Sequence, residues 1–191
     1  MQHFQIAVVV GSLRKASFNH QLAAALIRLA PSDFSFKLLQ IGELPLYNQD
    51  DDAHQGEPVI RLKQDIAASQ GLLFVTPEYN RSIPGVLKNA IDHASRPYGH
   101  NAWAGKPAGV LGVSVGAIGT ALAQQHLRNI LAYLDAPTMG QPEAFIQAKE
   151  GLFDADGNIS ADSRQFLQDW MDHFVAWVQK HANTAATMGA K

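Results

Sequence analysis

Short apolar runs rich in β-branched residues alternate along this chain with longer segments whose apolar positions recur every three or four residues. Runs of the first kind are continuous rather than alternating, as in strands covered on both faces, and segments of the second kind are amphipathic helices. Strands are expected at 5–10, 34–41, 71–76, 107–114 and, with a weaker pattern, 138–146. Helices fall between and after them, at 18–30, 57–68, 84–94, 118–134 and 161–181. In the fourth helix Leu127, Ile130, Leu131 and Leu134 form one stripe at i, i+3, i+4 and i+7. In the fifth, Phe166, Trp170, Phe174 and Trp177 form an apolar face suited to a core or a subunit contact. Strict strand–helix alternation predicts an α/β three-layer αβα sandwich around a five-stranded parallel sheet.

An open sheet of order 2-1-3-4-5 places strands one and three side by side, with connections that leave in opposite directions. Their loops then flank one crevice at the carboxyl edge. The first of these loops reads GSLRKASFN, residues 11–19. N–H groups at a helix start lack intrahelical partners, and with the helix dipole they favour an anion. Ser12, Arg14, Ser17 and Asn19 add hydroxyl, guanidinium and amide groups able to surround a phosphate. A Walker loop would need a second glycine and a Gly-Lys pair, and a dinucleotide loop would need GxGxxG. Only Gly11 is present, so both are excluded. Taken alone, the loop also admits a plainer reading in which Ser17 caps a helix and Arg14 is solvated.

The loop after the third strand continues TPEYNRSIPG, residues 76–85. Pro77 ends the strand, Ser82 is a candidate cap, Pro84 can open a helix, and Glu78, Tyr79 and Asn80 form a short shelf. After the fourth strand, Ser114, Gly116 and Gly119 offer small side chains that let a flat ring approach the backbone, although a tight turn explains the glycines equally well.

Composition narrows the function classes. With 191 residues and 47% apolar content the chain fills one domain, here residues 1–182, followed by a small polar tail at 183–191 expected to be disordered. A net charge of −2 with no basic stripe argues against nucleic acid. Absent cysteines exclude thiol chemistry, so redox work needs a borrowed cofactor. No apolar run is long enough for membrane insertion, and a cytoplasmic protein is expected. The eight histidines lack paired metal spacing, Asp50–Asp52 reads as a solvated turn, and FDADGNISADS lacks the glutamate that closes a calcium loop.

Taken together, GSLRKASFN, TPEYNRSIPGVLKNAIDHASRP and the SxGxxGT segment make the chain resemble the NADPH-dependent FMN reductase family of flavodoxin-like proteins, over roughly residues 5–145. The branch it is most similar to contains bacterial chromate/quinone reductases and azoreductases. The resemblance implies FMN as cofactor and NADPH or NADH as co-substrate, with ping-pong transfer to a small-molecule acceptor: a quinone, a flavin, an azo compound or a metal oxyanion such as chromate. It also implies a homodimer or homotetramer. By the same resemblance Ser12, Leu13, Arg14, Lys15, Ala16, Ser17, Phe18 and Asn19 look like the FMN phosphate site. Pro77, Glu78, Tyr79 and Asn80 would hold the ring and ribityl chain, with Ser114 and Gly116 on the other flank. No side chain is required as an acid or base, because the flavin carries the hydride chemistry. The chain departs from the family where a Gly-Gly pair is common: it reads Ala117-Ile118-Gly119-Thr120, a difference that bears on nicotinamide access. An electron carrier using the same site without NAD(P)H turnover is the competing expectation, against which the weak net charge counts.

Overall fold

The computed structural model describes residues 2–188, with side chains through residue 182. Strand β1 (Phe4–Val10) lies between β2 (Phe34–Leu38) and β3 (Gly71–Val75), followed by β4 (Ala108–Ser114) and β5 (Phe145–Gln147). All neighbouring pairs are parallel and the order is β2-β1-β3-β4-β5, as the pattern predicts. Alternate residues of β1 serve opposite layers. Phe4, Ile6, Val8 and Val10 pack with helix α1 (Phe18–Ile27) and helix α5 (Ala161–Met188). Ala7 and Val9 pack instead with α2 (Glu57–Ala68), α3 (Gly85–Ala94) and α4 (Ala121–Tyr133). Burial on both faces is why β1 reads as an unbroken apolar run.

The helical stripes do what their spacing requires. Leu127 and Leu131 are fully buried and Leu134 nearly so, while Ile130 packs at the margin. On α5, Trp170 and Phe174 stack with centroids 5.6 Å apart and are fully buried. Trp177 donates its indole N–H to the Pro137 carbonyl, but Phe166 is exposed and does not join the buried face. The backbone of α5 continues as helix to Met188, through most of the stretch read as a tail, and residues 189–191 lie outside the described residues.

The fifth strand differs from expectation for a local reason, while the FDADGNISADS segment forms the polar turn before α5 that its missing glutamate leads one to expect. The fifth strand is confined to Phe145–Gln147: Thr138 makes an isolated bridge to Ala108, and Pro142, lacking an N–H, sits in the interruption. The FDADGNISADS segment is a tight polar turn. Asp154 accepts N–H bonds from Asp156 and Asn158 at 2.9 and 2.8 Å, and the Asn158 bonds hold its carboxyl below the usual range. Arg28, just past α1, fastens the turn by donating to the Asp156 carbonyl and the Asn158 side chain.

Candidate functional site

The first loop starts where the sheet lets go. The N–H of Gly11 still donates to the Val75 carbonyl at 3.0 Å, extending the β1–β3 ladder one residue past β1. Ser17 is the α1 N-cap, its hydroxyl accepting the His20 N–H at 3.3 Å. The His20 ring lies 2.9 Å from the Ser12 carbonyl, so the first helical turn holds the start of the loop. Ser12 and Ser17 are buried, whereas Leu13, Arg14, Lys15 and Ala16 are exposed. Among the described residues, the N–H groups of Lys15, Ala16, Ser17 and Phe18 have no acceptor. Asn19 is occupied elsewhere: its amide donates to the Val113 carbonyl at 2.9 Å and accepts the Val113 N–H at 3.0 Å. A buried side chain thus completes the backbone of β4, tying α1 to the end of that strand.

The second loop is a built shelf. Thr76 and Pro77 are buried at the end of β3, and the Thr76 hydroxyl donates to the Pro77 carbonyl. Tyr79 and Ser82 then exchange both backbone hydrogen bonds at 3.0 Å around Asn80 (φ 52°) and Arg81 (φ 65°). Positive φ at both central residues makes this a type I′ hairpin turn. The Tyr79 ring is half exposed at its rim. Glu78 turns the other way: its Oε2 accepts the N–H groups of Leu122 and Ala123 at 3.0 and 3.1 Å, capping α4, whose own N-cap residue Thr120 makes no side-chain cap. Ser82 does not cap α3, which begins after Pro84; its hydroxyl instead lies 2.9 Å from the His126 ring on α4. Glu78 and Ser82 together bind the shelf to α4.

The third loop is pinned from within and from β5. The Ser114 hydroxyl donates to the Gly119 carbonyl at 2.5 Å, and the Gly119 N–H to the Gly116 carbonyl at 3.0 Å. Gly119 has φ 63°, and a Cβ there would come within 2.7 Å of the Phe145 backbone. Helix α4 therefore starts at Ala121, after this turn, rather than at 118. From β5, Ala148 and Gln147 donate to the carbonyls of Ser114 and Val115. Val115, Gly116, Ala117 and Ile118 remain exposed at the tip. At the base of the loop the strands close up: a Cβ on Gly112 would fall 2.0 Å from the Thr76 carbonyl oxygen.

These three loops leave the carboxyl ends of β1, β3 and β4, which are adjacent in the sheet. Specific bonds join them: Gly11 to Val75, Asn19 to Val113, and Glu78 to the start of α4. A groove of about 530 Å³ lies elsewhere, between α3, α4 and the turn carrying Tyr98 and Gly99. Sequence reasoning brought the three loops together but missed Arg81, whose carboxylate partner is Glu78 on the same shelf, and Leu122, Ala123 and His126, whose partners Glu78 and Ser82 lie 44 or 45 residues away across the gap between shelf and helix.

The family profile described as NADPH-dependent FMN reductase matches residues 4–151. The chain belongs to this family. It is 60% identical to a 2-hydroxy-1,4-benzoquinone reductase of Burkholderia sp, over 92% of this chain and 96% of that one. It is 50% identical to a quinone reductase of Pseudomonas putida, over 93% and 96%. Among solved structures, the flavoenzyme NAD(P)H:(acceptor) oxidoreductase FerB of Paracoccus denitrificans superposes with a TM-score of 0.90 at 50% identity, covering 93% of this chain and 98% of that one. As a member of the family the chain is an NAD(P)H-dependent oxidoreductase whose cofactor is FMN. Its residues fit that group. The unpartnered N–H groups of 15–18 and the exposed Arg14 and Lys15 suit a phosphate monoester, and small exposed residues at the third loop leave room for a planar ring.

Proposed function

We propose that this protein is an FMN-dependent NAD(P)H:quinone reductase with its site at the junction of the three loops. The observation that carries the reading is the contrast within the first loop: a well-capped helix that begins with N–H groups lacking any acceptor among the described residues, beside two exposed cations. In this reading the N–H groups of Lys15 to Phe18, with Arg14, hold the phosphate. Pro77, Tyr79 and Asn80 with the Ser114–Gly116 turn border the ring, and Glu78 and Asn19 hold those borders in place. When bound, FMN supplies hydride acceptance and donation. The exposed backbone at the two ring borders supplies fixed dipoles that favour negative charge on the ring and shields one face from water. The net reaction takes NAD(P)H, a proton and a quinone to NAD(P)+ and a hydroquinone. A single open face implies ping-pong kinetics, with nicotinamide leaving before the acceptor enters, and admits azo compounds, flavins or chromate as further acceptors. Names of relatives that act on quinones support the acceptor class. We also infer a homodimer or homotetramer, and a cytoplasmic location is consistent with there being no described helix long and apolar enough to cross a membrane.

Purified protein is expected to carry or take up FMN with quenching of its fluorescence and to oxidise NADPH or NADH only when a quinone is present in turnover amounts. Parallel-line double-reciprocal plots would support ping-pong transfer. Protein that binds FMN but leaves NAD(P)H unoxidised would favour an electron carrier instead.

A further inference from the structure

The shelf hairpin holds a residue that its geometry disfavours. Type I′ turns require positive φ at both central positions, and these are ordinarily Asn-Gly or Asp-Gly. Here the pair is Asn80-Arg81, with Arg81 at φ 65°. A strained conformer kept at a functional edge points to a use for the side chain. The Arg81 side chain is 65% exposed, and its only described ion-pair partner is Glu78, at 3.8 Å, beyond hydrogen-bonding distance. That carboxylate is already shared with the Leu122 and Ala123 N–H groups at the positive end of α4. Helix α4 thus competes for the one described ion-pair partner of Arg81, and leaves an exposed guanidinium on the shelf hairpin. Next in sequence to Arg81, Ser82 lines a shallow groove with Lys88 and His126.

We propose that Arg81 is a specificity-determining residue that selects acceptors carrying an ionised ring hydroxyl: hydroxyquinones, vinylogous acids that are anionic at neutral pH. The inference rests on the FMN reductase reading of the site. The guanidinium pairs with the enolate oxygen and orients the quinone carbonyls, and the electrons and protons transferred are those of the ordinary quinone reaction, with NAD(P)H as reductant. Arginine suits this because its planar fork matches two adjacent oxygens on a ring.

The test is the ratio of kcat/KM for 2-hydroxy-1,4-benzoquinone to that for unsubstituted 1,4-benzoquinone, measured in the FMN-loaded wild type, Arg81→Gln, Arg81→Gly and Arg81→Lys. Dividing by the uncharged quinone removes any general damage, and glycine suits the turn, so loss of fold cannot mimic the result. The ratio is expected to fall about 5- to 10-fold in the Gln and Gly variants, mostly through KM, and to be partly retained by Lys. In wild type the ratio should fall with added salt, and in the Gly variant it should not. Binding of hydroxyquinone to the oxidised holoprotein, followed by fluorescence without turnover, should weaken in parallel. An unchanged ratio overturns the proposal. If it is accompanied by a shift in assembled mass, Arg81 serves a contact between copies instead. Wild-type protein that takes up FMN but reduces neither quinone would overturn the quinone-reductase reading itself, and the proposal with it.

Discussion

The two sides of the candidate site are built in opposite ways. The first loop, residues 12–18, ends with backbone donors that have no acceptor among the described residues and exposes Arg14 and Lys15. The opposing wall, made of the shelf hairpin, the 114–119 turn and the start of α4, uses polar side chains other than the exposed Arg81 to hold itself together: Glu78 caps α4, Ser82 meets His126, and Ser114 closes on Gly119. Open donors at an exposed helix start are satisfied by water in the free protein and suit an anion that can replace it. The bonded wall needs no such reserve. It holds shape for a flat group, and shape requires rigidity before binding. Affinity should therefore sit mainly in the first loop and geometry mainly in the wall.

Substitutions can break that division of labour. The largest effect is expected at Gly112→Ala, where the new methyl would overlap the Thr76 carbonyl at 2.0 Å. Forcing β3 and β4 apart should cost roughly 3 kcal/mol in denaturant unfolding and weaken FMN binding at the same time. Next comes Asn19→Ala, which removes two bonds to Val113 and leaves a buried N–H and carbonyl unpaired; a loss of about 2–3 kcal/mol of stability is expected. Asn19 belongs to the first loop by sequence but to the wall by bonding, so a stability loss here, read beside FMN affinity, separates the two roles. Arg14→Ala should do the reverse, weakening FMN by about 1.5–3 kcal/mol in a fluorescence titration while leaving the melting temperature of the FMN-free protein in place. The mildest effect belongs to Glu78→Ala. Loss of a helix cap is worth about 1 kcal/mol, seen in unfolding and in faster amide exchange at Leu122 and Ala123. Should Arg14→Ala destabilise the protein and Asn19→Ala spare it, the assignment of open and bonded sides would be reversed.

How much of this was legible in the sequence follows from the range of each interaction. Helix α2 falls at 57–68 as its stripe predicts, and the strand order follows from alternation and handedness, because both depend on period and connectivity. The open backbone donors of the GSLR loop, which make it a candidate anion site, were readable because donors at a strand-to-helix turn are a local property. Asn19 was read as a ligand for phosphate, yet its partner Val113 is 94 residues away. No local pattern carries that pairing. Glu78 looked like part of the ring edge for the same reason, since its role as a cap depends on α4 starting beside the shelf. The late start of α4 follows a turn at Gly119, where φ is positive and Phe145 on β5 leaves no room for a Cβ. The weak fifth strand was overextended because Thr138 and Phe145 both touch β4, while the proline-containing stretch between them does not pair.

Amide hydrogen exchange, with and without saturating FMN, tests the central claim most directly. Peptides covering residues 12–19 should gain strong protection on FMN addition, whereas those covering 120–126 should already be slow and change little. Protection that appears instead along α3 and α4 near Tyr98, with residues 12–19 unaffected, would contradict the account.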